Sequence, residues 1–211
     1  MNSEKQFKPP EAESGQEEQN VVKDYKEQLD LSPEDLKKKI LDIGSGDGSG
    51  FGTKIREMGS GSQIYSLDPR PGTNDSVNFT TGQAEHLPFN DKEFELVVSN
   101  AAFPFFVLMD KEINRQLRSG NLEPAENRIR QDVNEMLRVI NDKAEIRLGR
   151  VSKNIILPHQ RVLEQCFEKV LNEFIQNKLV TVEWKQKEPL MDYQDTTKKL
   201  ADLYLVILHK L

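Results

Sequence analysis

The chain has 211 residues, a length that suits one domain able to bury most of the surface its unfolded form exposes. A formal net charge of −6 at pH 7 disfavours extensive contact with nucleic acid, which needs a basic surface to neutralise phosphates. The single cysteine, Cys166, excludes an internal disulfide and a cysteine-based zinc cluster, and no stretch has the length of a membrane-spanning helix.

Residues 1–20 hold two prolines, a run of acids and almost nothing large and apolar. They cannot bury enough surface to offset their ordering entropy, and they lack the apolar stretch of a signal peptide. A disordered acidic tail over 1–20, ahead of one folded domain over 21–211 in the cytoplasm, is therefore expected. From Val21 the pattern changes: Val21, Val22, Tyr25 and Leu29 recur at helical spacing. Ser32 then predicts a helix cap, with Pro33 at the first helical position.

Ile40-Leu41-Asp42-Ile43 is a short apolar run that stops at glycines, as a buried strand ending in a loop does. A helix over 51–58, a strand over 63–67, a strand over 77–80 and a strand over 94–98 follow. The polar connection from Met109 to Asn127 suggests a mobile cover. Ile129, Val133, Met136, Leu137 and Ile140 then make one apolar helical stripe. An Asn141-Asp142-Lys143 turn leads to a strand over 144–151, in which Glu145 and Arg147 alternate with Ile146 and Leu148. An interior strand tolerates such charges only at the sheet's end or in pairs, and the sequence does not choose between these. A second amphipathic helix carries Leu163, Phe167, Val170, Leu171 and Phe174, with Cys166 on its apolar face as a core thiol. Strands over 179–186 and 203–208 close the chain. The alternation of strands and helices predicts an α/β fold with a mostly parallel sheet and helices on both faces.

The chemistry concentrates in Asp42-Ile43-Gly44-Ser45-Gly46-Asp47-Gly48-Ser49. Glycines after a strand permit a tight turn and close approach of a ligand. A dinucleotide site wants a third glycine where Ser49 stands, and Asp42 and Asp47 would repel a pyrophosphate. Two acids suit a ligand that carries positive charge. Asp68 ends the second strand, where an acid accepts hydrogen bonds from ribose hydroxyls.

These residues resemble the first two motifs of class I S-adenosylmethionine-dependent methyltransferases. Gly82-Gln83-Ala84-Glu85-His86-Leu87-Pro88-Phe89, followed by Phe94 to Ser99, is similar to the adenine loop and fourth strand of the small-molecule and quinone-type branch, the type 11 methyltransferases. Glu135 to Ile140 is similar to that branch's last helix before the fifth strand. The resemblance spans roughly 36–211. It implies a Rossmann-like, doubly wound sheet of seven strands, mostly parallel, with the last strand antiparallel beside the fifth.

It further implies S-adenosylmethionine as methyl donor and a set of donor-site residues. Gly44, Ser45, Gly46, Asp47 and Gly48 would cradle the methionine part, with Asp42 near its ammonium. Asp68 and Pro69 would hold the ribose, and Gln83, Ala84 and Glu85 the adenine. Ser99 and Asn100 would lie beneath the methyl. Gln83 stands where the family usually has an acid. Phe103-Pro104-Phe105-Phe106 replaces a common histidine pair, and the usual Pro-Gly-Gly before the fifth strand is missing. Phe103, Phe106 and His159 are the candidate acceptor contacts; no catalytic residue and no metal ligand is assigned. A small-molecule acceptor is expected. A protein or nucleic-acid methyltransferase, or a non-catalytic relative that binds the donor and acts through partners, are the alternatives.

Overall fold

The computed structural model of the chain describes residues 14–46, 50–57, 63–72, 78–155, 158–192 and 198–211, with side chains from residue 21 onward except that of His159. In chain order the elements are α1 (Ser14–Leu29), β1 (Lys39–Ile43), α2 (Phe51–Glu57), β2 (Gln63–Asp68), β3 (Phe79–Thr81), β4 (Phe94–Asn100), α3 (Lys111–Arg118), α4 (Glu123–Val139), β5 (Ile140–Lys153), α5 (Pro158–Gln176), β6 (Val180–Gln186), β7 (Leu190–Met191) and β8 (Lys199–Lys210). Single 3-10 turns lie at Asp35–Lys37 and Phe105–Met109.

The sheet runs β3-β2-β1-β4-β5-β8-β6, with the two-residue β7 pairing β8 off this path. From β3 to β5 all pairings are parallel, whereas β8 is antiparallel to both β5 and β6. This is the doubly wound, seven-stranded arrangement expected, with the last long strand inserted beside the fifth. Successive strand residues face opposite layers. Ile40, Ile64, Leu96, Val98, Leu205 and Ile207 pack under α1 and α2, against Val22, Leu29, Phe51 and Ile55. Leu41, Ile43, Val97, Ile146, Leu148, Val206 and Leu208 pack under α4 and α5, whose apolar stripes are the predicted ones. Cys166 is buried in that second layer, and burial pushes its thiol up to about 11.

Several expectations change. α1 begins at Ser14, inside the segment expected to be a disordered tail, while residues 1–13 lie outside those described. Its first turn reads Ser-Gly-Gln-Glu-Glu, and acids there complement the helix dipole. The start predicted at Ser32 gives no α-helix but one 3-10 turn. Its Ser32 Oγ accepts from the Asp35 N–H at 3.1 Å, and Asp35 Oδ2 accepts from the Ser32 N–H at 3.0 Å. The third strand begins at Phe79 rather than Val77, which is not among the described residues. The connection expected as a cover over 109–127 holds α3, capped by Asp110 accepting from the Glu112 and Ile113 N–H groups, and the first turn of α4.

Asn141-Asp142-Lys143 is not a turn but part of β5. Lys143 takes φ +62°, and the pairing with β4 shifts register between Phe94 and Leu96, so the strand absorbs turn-like residues as a bulge. Glu145 and Arg147 pair. The Arg147 guanidinium, 11% exposed, donates to Glu145 Oε2 at 2.9 Å and Asp35 Oδ2 at 3.1 Å. It also donates to the Leu29 and Asp30 carbonyls that end α1. An interior charge is thus used to close a helix C-terminus, where carbonyls have no intrahelical partner.

Candidate functional site

In a sheet ordered this way the connections after β1 and β4 leave in opposite directions. A crevice opens between their carboxyl ends, where open α/β sheets hold ligands. Here it is a cavity of about 670 Å³. Its floor is built by the glycine turn. Gly44 adopts φ +77°, and a Cβ there would lie 2.3 Å from the Ala102 Cβ, so only glycine fits. The Gly44 and Ser45 N–H groups donate to the Leu67 carbonyl, and Gly46, at φ +81°, donates its N–H to Asp68 Oδ2 at 2.9 Å. Asp47 and Gly48 lie outside the described residues.

Asp42, two residues before Gly44, is fully buried beneath α1, where Tyr25 stacks on Phe51 with ring centres 4.4 Å apart. The Tyr25 hydroxyl faces it, and burial together with the Asp42 charge raises the Tyr25 pKa well above the ordinary value. Neither carboxylate oxygen has a well-formed hydrogen bond among the described residues. Burial pushes the carboxyl up to about 7 against the pull of Tyr25, and the charge of Asp68 adds to the rise. Ser45 Oγ and Asn100 Oδ1 are also buried without a partner among the described residues. The Asn100 amide is held from the other side, donating to Asp24 Oδ2 at 3.3 Å, and Arg150 donates to Asp24 Oδ1 at 2.6 Å. A Cβ at Gly149 would come within 2.7 Å of Asn100 Oδ1, so glycine is what leaves this side chain room. Buried acceptors left unpaired are costly unless a ligand's donors meet them, and an ammonium group brings three.

Asp68 is 3% exposed and lines the same cavity. Arg70 lies over it, donating its N–H and Nε to Asp68 Oδ1 at 3.0 and 2.9 Å. Farther along, Gln83 and the buried Ala84 line the wall, and Pro69 stands exposed at the rim. Glu85 is ion-paired with Arg128 of α4, which also lines the cavity beside Phe106. Ala101, at φ +57°, completes the turn after β4, its N–H donating to the Gly149 carbonyl at 3.1 Å.

Two expected contacts are not made. Ser99 is fully buried and faces away from the cavity, its Oγ accepting from the Phe103 N–H at 3.2 Å. Phe103 is fully buried as well, edge-on to Phe167 of α5 at 5.6 Å, so it belongs to the core between β4 and α5. Phe105 and Phe106, from the same run, reach the cavity. His159 falls in the first turn of α5, its side chain outside the described set. Tyr25, Arg70 and Arg128 were not foreseen. Arg70 was the readable one, two residues from the ribose acid, whereas Tyr25 and Arg128 look like ordinary members of amphipathic helices. No group of three or more His, Cys, Asp or Glu placed to hold a metal occurs among the described residues, nor does a helix long and apolar enough to cross a membrane.

Residues 41–122, from β1 to the residue before α4, match the model of a family described as a methyltransferase domain. Over that segment the chain is similar to methyltransferase domains. The solved structure of an S-adenosylmethionine-dependent methyltransferase from Methanosarcina mazei is similar, with a TM-score of 0.53 and 17% identity over 83% of this chain and 93% of that one. The MccD protein gives a TM-score of 0.57 at 11% identity, over 90% of this chain and 96% of its own. Geranyl diphosphate C-methyltransferase from Streptomyces coelicolor A3(2), solved with Mg2+, geranyl diphosphate and S-adenosyl-L-homocysteine, gives 0.54 at 10% identity, over 93% of this chain and 80% of its own. At these identities the likeness is one of fold. No curated protein sequence matches the chain. The acceptors of Asp42, Ser45 and Asn100 that are unpaired among the described residues suit a ligand that carries positive charge.

Proposed function

We propose that the protein transfers the methyl group of S-adenosylmethionine to a small-molecule acceptor in the cytoplasm. The observation that carries this reading is that Asn100 and Asp68 line one cavity at the switch point of the sheet, with Asp42 buried two residues before the Gly44 floor. Asp42 and Asn100 would accept from the donor's ammonium, and Asp68 from its ribose once Arg70 yields. Gln83, through its side-chain carbonyl, and the Ala84 backbone would meet the adenine. A glutamine oxygen accepts a hydrogen bond without charge, which makes it a weaker acceptor than the family's acid.

The bound donor supplies a carbon already activated by a sulfonium. What the chain contributes is alignment and exclusion of water, and positioning of reactants can supply roughly 7 to 11 kcal/mol. The wall beyond the donor residues is largely apolar, formed by Ala101, Ala102, Phe105, Phe106 and Met109. Among the described residues its charges are two acids and two arginines, Asp68, Asp110, Arg70 and Arg128, which form no basic strip. A wall of this kind favours a compact, largely apolar acceptor over a nucleic acid or a basic protein tail.

The test is calorimetric titration with S-adenosylhomocysteine, followed by turnover assays on a panel of thiols, amines, phenols and isoprenoids. Binding that is abolished in Asp68→Ala supports the donor reading; absence of heat and of thermal shift with either cofactor form overturns it. Turnover on a histone peptide or tRNA, with none on the small-molecule panel, would overturn the acceptor class.

A further inference from the structure

Helix α4 grips the segment after β3 along one stripe. The Gln131 side chain donates to the Glu85 carbonyl at 3.3 Å, and Glu135 Oε2 accepts from the Leu87 N–H at 2.9 Å. Arg138 donates to the carbonyls of Leu87 and Phe89 at 2.9 and 2.8 Å. These contacts hold backbone. Arg128, one turn nearer the helix start, behaves differently: it binds a side chain, Glu85, and it lines the cavity.

We infer that Arg128 is a positioning residue of the donor site, fixing the adenine loop to α4 through Glu85 and so setting where Gln83 and Ala84 stand; this rests on the donor reading proposed above. Its guanidinium is 14% exposed and joins two carboxylates, Glu85 at 15% and Asp132 at 0%, with Nε donating to Asp132 Oδ1 at 3.0 Å. The cation lies 5.9 Å from the centre of the Phe106 ring. Asp132 Oδ2 has no partner among the described residues, so α4 commits a buried acid to orienting this one arginine. A group held from behind by a buried carboxylate and a ring has little freedom to swing. Glu85 is thereby fixed, and Ala84 is its direct neighbour in the chain. Two long charged side chains tied to one another cost entropy and are worth little for stability at a surface. At the rim of a cavity they set geometry instead.

The test uses the whole chain and two ligands, S-adenosylhomocysteine and its inosine analogue, in which a carbonyl replaces the adenine amino group. Wild type is expected to prefer the adenine form. In Arg128→Met, which keeps the apolar stem over Phe106, affinity for S-adenosylhomocysteine should fall about tenfold, the worth of one charge-assisted hydrogen bond. The preference over the inosine form should collapse, and Arg128→Lys should restore part of both. Should Arg128→Met fail to fold, Glu85→Ala leaves Arg128 with Asp132 and carries the same expectation. Unchanged affinity and unchanged preference in the folded variant overturn the assignment, and so does a loss of affinity that leaves the preference intact. Absence of binding by the wild type to either ligand overturns instead the donor reading on which it rests.

Discussion

Asp42 and Asp68 are both buried acids of the proposed donor site, yet the protein treats them oppositely. Asp68 is satisfied by the Gly46 N–H and by Arg70, whereas Asp42 has no well-formed partner among the described residues and its carboxyl rises to about 7. Two consequences follow for Asp42. Its folded pKa lies above the ordinary carboxylate value of 3.8, so the folded state holds a proton the unfolded chain has released. Stability without ligand therefore falls as pH rises from about 4 to 7, by an amount on the order of 4 kcal/mol. Asp42→Asn should flatten that part of a denaturation-versus-pH curve. Donor affinity runs the other way, because an ammonium favours the ionised acid. It should be full above pH 7 and fall by up to about tenfold per unit below it, a slope that Asp42→Asn abolishes in calorimetry. For Asp68 the competitor is Arg70, whose side chain is 63% exposed. The Asp68 side chain is 4% exposed but the Arg70 head regains water when displaced, so Arg70→Ala should tighten S-adenosylhomocysteine binding severalfold. Weaker binding would mean that Arg70 contacts the donor instead. Gly44→Ala sets a Cβ against Ala102 at φ +77°, and should cost about 2 kcal/mol or more in chemical denaturation while abolishing donor binding.

Among elements, β5 shows how a strand can carry charge through the middle of a sheet. Arg147 closes the end of α1 and, with Lys38 and Ser32, holds the Asp35 carboxyl well below the usual range although burial opposes them. Arg147→Met removes the donor from two helix carbonyls and leaves Asp35 with Lys38 and Ser32 alone and Glu145 without its arginine. It should cost roughly 3 kcal/mol, read as a lower denaturation midpoint with an unchanged slope. The direction with pH is opposite to that of Asp42: the stability from Asp35 is present above pH 4 and is lost on acidification. Elements whose signal is local were legible in the sequence. The glycine turn after β1, the acid ending β2 and the stripes of α4 and α5 are each spelled by residues a few positions apart. What was not legible depended on partners distant in the chain. Lys143 carries a turn-like φ but the ladder with β4 continues through it. Phe103 and Phe106 have the same composition and nearly the same position, and only the packing of α5 decides that one is core and the other cavity wall. Arg128 reads as a solvated charge until Glu85 is seen opposite.

For the whole molecule, the insertion of β8 between β5 and β6 makes the far half of the sheet depend on one strand. Leu205 and Val206 face opposite layers and are both fully buried. Val206→Asp would place a carboxylate where no partner exists in the apolar layer under α5. The expected result is loss of cooperative unfolding and of near-ultraviolet dichroism, rather than a modest shift in midpoint. The donor residues lie on β1, β2 and β4, at the other half of the sheet, so the prediction separates scaffold failure from site failure.

The stripe on α4 has a consequence for changing what the site reads. Gln131, Glu135 and Arg138 hold the backbone of residues 85–89, which every sequence possesses, while Arg128 holds the Glu85 side chain and Arg138 also the Asp91 carboxylate. The exposed positions Gln83, His86 and Pro88 could therefore be randomised in a library without recoding the helix. Glu85 and Asp91, the buried Ala84 and Leu87, and Phe89, which packs on Phe94, would be kept. Base preference and docking would then be tunable separately, the first in the loop and the second in α4.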